Sequence, residues 1–209
     1  MNCINVTSMK RFFITLIVII FCFSCSSKAK RKHQGNSDYQ KEMNAKFKDA
    51  STSPLTKKDL KTFKGLPFFP IKNKFKVVAK LNKTKDSKIF SFPTTTERIA
   101  KYKKYGVVNF SIDEKNFSLD IYKDPNPLPG FKDYLFLPFF DKTNGKTTYK
   151  GGRFVDITTN DETKDGTILI DFNKAYNPYC VYNDKFSCPI TPRENFLNIP
   201  IEAGMMNYK

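Results

Sequence analysis

Acidic, basic and anion-binding side chains gather at a few turns in the C-terminal half of the chain. Asp141 and Thr143 follow the apolar run LFLPFF, and Tyr149, Gly151, Gly152 and Arg153 open the next apolar stretch. Paired glycines let a ligand approach the backbone closely. Asp171 and Asn173 close the segment ILIDFN, Tyr176, Asn177 and Pro178 come next, and Glu194 and Asn195 follow a long irregular stretch. One chemistry for this set has Arg153 binding an anionic or carbonyl group, with Asp171, Glu194 or Tyr149 as acid or base. The ligand-binding set is then Asp141, Tyr149, Gly152, Arg153, Asp171, Asn173, Tyr176, Asn177 and Asn195. Carboxylates and an arginine beside aromatics also suit a carbohydrate-binding or glycan-processing site. Each residue has a plainer use as well. Arg153 can pair with Asp141 or Asp171 to anchor loops, Asn173 and Asn177 are good turn formers, and the tyrosines suit a core edge. Spacing alone does not choose between these readings.

Other chemistries are excluded. The sole histidine, His33, precludes a Ser-His-Asp triad, a Cys-His dyad, an HExxH zinc site or a multi-His metal cage within this chain. No metal or cofactor is expected. Asn144-Gly145-Lys146-Thr147 imitates the end of a phosphate-binding loop, but the required earlier glycine is Phe140, so a turn is expected there. The formal charge is +16, carried by 31 Lys and 5 Arg spread along the chain. Nucleic-acid binders concentrate charge and favour Arg forks, so no nucleic-acid partner is expected.

The elements that must position these residues show a period of two. Phe75, Val77, Ala79 and Leu81 mark a half-buried strand. Further strands are expected at Lys88–Phe92, Tyr105–Ile112, Asn116–Tyr122, Tyr134–Phe139, Arg153–Thr158, Thr167–Phe172 and Leu197–Ala203. Asp113-Glu114-Lys115 is short enough to join two of them as a hairpin. Ahead of the strands, Tyr39, Met43 and Phe47 form a narrow helical stripe, and Thr56 with Asp59 caps a second short helix. The pattern predicts one mostly β, β-rich α+β domain over residues 38–209. Its expected architecture is an antiparallel sandwich or partly open barrel with two short N-terminal helices.

The N-terminus is an address. Lys10 and Arg11 precede the apolar run FFITLIVIIFCF, and Ser24-Cys25-Ser26-Ser27 follows. This is the plan of a secretory signal, too short for a membrane span. Cys25 after a small residue resembles a bacterial lipobox, with Cys22 where Leu is usual. The expected products are a lipoprotein signal peptide over 1–24, a lipid on Cys25 that anchors the chain to the membrane, and a flexible basic tether over 25–37. The protein would face the periplasm or the cell surface. Of the five cysteines, Cys3 and Cys22 leave with the signal, and Cys180 with Cys188 is most simply a disulfide, while redox thiols or a metal pair remain open. Closing so short a loop contributes roughly 2–3 kcal/mol in the chain-entropy model.

The runs FLPFFDKTNGKTTYKGGRFVDI and LIDFNKAYNPYCVYNDKFSCPITPRENFLNIPIEAG, with GLPFFP and YKKYGVVNFSI upstream, resemble the bacterial domain-of-unknown-function family numbered 1684. The resemblance covers roughly residues 58–208. It implies an exported or lipid-anchored member and supplies no reaction. The expectation is a lipid-anchored envelope protein that binds a small molecule or glycan through the strand-end cluster, leaning toward a binding or accessory module. The rival is a cofactor-free hydrolase or lyase using Asp171 and Glu194, with Arg153 on the substrate.

Overall fold

The computed structural model describes residues 37–208. The expected signal peptide, Cys25, His33 and nearly all of the tether lie outside the described residues. Helix α1, Asp38–Lys48, starts where Ser37 Oγ accepts the Gln40 N–H and the Gln40 side chain accepts the Ser37 N–H, both at 3.3 Å. Its stripe buries Phe47 against the rings of Phe63, Tyr179 and Tyr182. Helix α2, Lys57–Thr62, is capped by Thr56.

Eight strands follow: β1 Lys76–Lys83, β2 Ile89–Pro93, β3 Ile99–Ile112, β4 Lys115–Lys123, β5 Tyr134–Asp141, β6 Arg153–Thr158, β7 Thr167–Asp171 and β8 Phe196–Leu197. They form one sheet in the order β6-β5-β4-β3-β1-β7, with β2 beside β3 and β8 parallel to β5. The other pairings are antiparallel, and β6 and β7 approach each other, so the sheet curls into a nearly closed barrel. Leu81, Val108, Leu119, Leu137, Val155 and Ile170 fill its interior. The β3–β4 hairpin turns on Asp113 and Glu114, both with positive φ (48° and 62°), a two-residue connection matched to sheet twist.

Two strands depart from the sequence pattern. β3 begins six residues earlier than its hydrophobic alternation suggests, because its register slips between Lys104 and Gly106. The extra residue reverses the alternation. Val108 and Phe110 face the interior, whereas Ala100 and Tyr102 join a second aromatic cluster with Phe92, Tyr122, Phe136 and Phe154. Gly106 is needed at this bulge, since a Cβ there would lie 2.6 Å from the Asn82 carbonyl. The expected strand Leu197–Ala203 shrinks to β8. Its alternating burial is present, yet beyond Leu197 the segment forms no ladder with a neighbouring strand.

Candidate functional site

Arg153 takes the place of the missing ladder. Its Nη1 donates to the carbonyls of Ala203 and Met205, the latter at 3.2 Å, and its Nη2 to the carbonyl of Ile201 at 2.8 Å. These are three alternate residues along one edge of an extended segment. Nη2 also meets Asp141 Oδ2 at 2.9 Å, while Asp141 Oδ1 accepts the N–H groups of Thr143 and Ile201. Both side chains are 0% exposed. Burial lowers the Arg153 pKa and the Asp141 carboxylate opposes that shift. With no surface open to solvent, Arg153 and Asp141 hold the C-terminal segment onto the barrel, and the anion-binding role expected for Arg153 does not match its position.

The asparagines do similar work. Asn195 is fully buried, accepts the Asp120 N–H at 2.9 Å and donates to the carbonyls of Asp120 (2.8 Å) and Pro138 (2.7 Å). It bridges β4 and β5 where they stop pairing. Asn173 exchanges both bonds with the Lys72 backbone, and Asp171 accepts from Asn173 at 2.9 and 3.0 Å. Asn177 donates to the Met206 carbonyl and lies against the Tyr182 hydroxyl. Gly152 has φ +89°, and a Cβ there would meet Thr191 Oγ1 at 2.6 Å, so the glycine serves close packing of the loop. The half-buried Tyr149 phenol is pushed up chiefly by burial. Among the described residues, no three His, Cys, Asp or Glu side chains converge as a metal would require.

The structure therefore does not gather the expected residues around one cavity. Two clefts flank the outer aromatic cluster instead. The first has a volume of about 480 Å³, within the range of small-molecule sites. Its floor is the outward face of the sheet: Tyr102 from β3, Tyr134 and Phe136 from β5, Phe154 and Asp156 from β6. Its walls are Tyr39, Met43 and Lys46 of α1, Phe131, and the segment 176–189. A bridge between Phe154 and Tyr176, with N–H···O distances of 3.0 and 2.9 Å, seats the Tyr176 ring beside β6. Asp156 Oδ1 accepts from the hydroxyls of Tyr176 at 2.6 Å and Tyr134 at 2.9 Å. Burial, and then the Asp156 charge, push the Tyr39 and Tyr134 phenols well above their ordinary pKa. Tyr176 is raised by burial first, then by Tyr134 and Asp156.

The second cleft, about 530 Å³, holds Glu194 together with Asp120, Tyr122, Lys104 and Arg193. Lys104 pairs with Asp120 at 2.8 Å. Burial and the charges of Asp120 and Glu194 raise the Tyr122 phenol. Asp171 lines neither cleft, so the expected Asp171–Glu194 acid/base pair is not assembled.

Cys180 and Cys188 stand in contact as two thiols, with the Cys180 N–H 3.2 Å from Cys188 Sγ. The Cys188 thiol donates to the Cys180 sulfur, which lowers the Cys180 pKa to about 7 and raises that of Cys188. Cys188 lies on the wall of the first cleft.

Of the residues singled out in sequence, Tyr39, Met43, Tyr176, Pro178 and Cys188 reach the first cleft and Glu194 the second. Asp156, Tyr102, Tyr134 and Phe136 were missed. The available signal was aromatic residues at outward positions of adjacent strands, where a solvated face would carry polar ones.

A family model described as a protein of unknown function, DUF1684, matches residues 61–206. The chain belongs to this family. A similar fold occurs in the solution NMR structure of an uncharacterized protein of Haloarcula marismortui, with a TM-score of 0.63 and 29% identity over 80% of this chain and 89% of that one. No curated protein matches. In this DUF1684 chain the wall made by Tyr39, Met43 and Lys46 precedes the matched region, whereas the floor of the cleft lies within it.

Proposed function

We propose that this protein is a lipid-anchored module of the cell envelope that binds a small ligand in the cleft around Asp156. The observation that carries the reading is a concave aromatic surface with one exposed carboxylate at its floor, oriented by two tyrosine hydroxyls. Binding sites commonly combine apolar walls with a few placed polar groups. The lipid would sit on Cys25, with the basic segment after it as a tether and the bacterial periplasm or cell surface as the location. Oxidation there would join Cys180 to Cys188 and brace the wall that carries Tyr179 and Phe186.

The test is thermal unfolding of the full chain against sugars, cell-wall fragments, organic anions and organic cations. A ligand at one hundred times its dissociation constant adds about 2.7 kcal/mol, or roughly 5–11 °C for a domain of this size. The shift should shrink in Phe131→Ala, which trims an exposed wall of the cleft. Absence of any shift across the panel overturns the reading.

A second reading, a cofactor-free hydrolase or lyase, is favoured by Glu194 and Asp120 facing one cleft beside Tyr122. Turnover of a panel member that disappears in a folded Glu194→Gln variant would support it.

A further inference from the structure

We propose that the ligands of the Asp156 cleft are organic cations, with an ammonium or guanidinium head against the carboxylate and aromatic faces and an apolar body along the floor. The proposal rests on the reading of this cleft as the ligand site.

The hydrogen-bonding inventory of the cleft is one-sided. The tyrosine hydroxyls of 134 and 176 spend their protons on Asp156 Oδ1, and that of Tyr39 donates to the Lys174 carbonyl at 2.7 Å. Ser187 Oγ is engaged by Thr94, Thr96 and Arg98. A neutral sugar needs donors and acceptors together, and an anion would face the carboxylate. Apart from the Lys46 ammonium, which lies over the Tyr179 ring, what the cleft offers freely is acceptor capacity, negative charge and ring faces, whose complement is a positively charged donor.

Asp156 also lacks a partner that its surroundings would readily supply. The chain has 36 Lys and Arg against 20 acids, yet among the described residues none comes within ion-pair distance of this exposed carboxylate. Its charge reaches across the cleft, since it raises the phenols of Tyr39, Tyr134 and Tyr176. The rings accept cations as well. Lys46 lies over Tyr179 at 5.5 Å, Lys185 over Phe186 at 5.0 Å and Lys174 over Tyr39 at 6.0 Å. Lys46 lines the cleft and is the positive group against which a cationic ligand competes.

The experiment is calorimetric titration of the full chain with three probes of one shape: phenethylammonium, 2-phenylethanol and phenylacetate. We expect the cation to bind at least about tenfold tighter than either other probe, from the charge pair together with cation–π support. Asp156→Asn should cut that preference to below about threefold, and Lys46→Gln should tighten the cation by about two- to threefold. Equal binding of the alcohol, preference for phenylacetate, or an unchanged ratio in a folded Asp156→Asn variant overturns the cation assignment and leaves the cleft as a site for another ligand class. Binding of none of the three, with no shift in the wider panel, overturns both. Should Asp156→Asn not fold, the ranking of the probes on the unmodified chain decides alone.

Discussion

Arg153 and Asp156 stand three residues apart on β6 and point to opposite sides of the sheet. Arg153 lies inside with Val155 and Ile157, and four of its hydrogen bonds end on the chain itself. Asp156 lies outside with Phe154, is exposed, and has its bonds on one oxygen. The first spends both Nη groups on the fold and is closed to solvent, so it belongs to the fold even though its buried Nε has no partner. The second has spare capacity at a concave apolar surface, which is what a ligand can use. From sequence, Arg153 with its flanking glycines looks the more chemical of the two. The proposed site rests on bonding capacity left over after folding.

Substitutions on the two sides of β6 should therefore separate stability from binding. The largest effect is expected for Arg153→Ala, which strands a buried Asp141 carboxylate and uncouples the carbonyls of residues 201, 203 and 205. Breaking a buried pair costs roughly 3–5 kcal/mol, so the midpoint of thermal unfolding should fall by on the order of 10 °C. A variant that melts within a degree or two of the parent would remove the anchor role.

Next in size is the braced loop. Cys188→Ser should cost about 2–3 kcal/mol if the cysteines are joined on export, through lost loop constraint. Thiol labelling of the denatured, unreduced protein checks the premise, because reactive Cys180 and Cys188 would show that no bridge forms. In the reduced protein, alkylation of Cys180 should rise with pH through about 7, since hydrogen bonding from Cys188 favours its thiolate.

Asn195→Ala should cost roughly 1–3 kcal/mol, because the Asp120 N–H and the Asp120 and Pro138 carbonyls lose their common partner inside the barrel wall. Chemical denaturation reads this directly, and accelerated amide exchange at Asp120 would localise it. Asp156→Asn completes the series with the smallest effect on stability, about 1 kcal/mol or less, because the amide oxygen still accepts from Tyr134 and Tyr176 and only the charge assistance is lost. Were Asp156→Asn as destabilising as Arg153→Ala, the contrast between the two faces would collapse and Asp156 would be a structural residue.

Much of the barrel was legible in sequence. β1, β4, β5, β6 and β7 fall close to their expected positions because a strand packed on one side writes a period of two into its own residues. The α1 stripe and the Asp113-Glu114 turn are equally local signals. The start of β3 was hidden because its bulge changes which face is buried without changing the composition. The end of the chain misled for a different reason. Leu197, Ile199, Ile201 and Ala203 alternate as a strand would, but burial period reports what a side chain packs on, not what the backbone bonds to, and here much of the partner is a guanidinium.

The candidate site was less legible than the fold. Its residues come from α1, three strands and the loop after residue 176, and no spacing along the chain records that Tyr39 meets Lys174 or that Tyr134 and Tyr176 share one oxygen of Asp156. The sequence by itself determined the element pattern, the family and the chemistries that a single histidine excludes, because each follows from residue type or local period. Only the tertiary structure decided which polar groups are spent and which remain available, because hydrogen-bond saturation depends on long-range partners that no local pattern names.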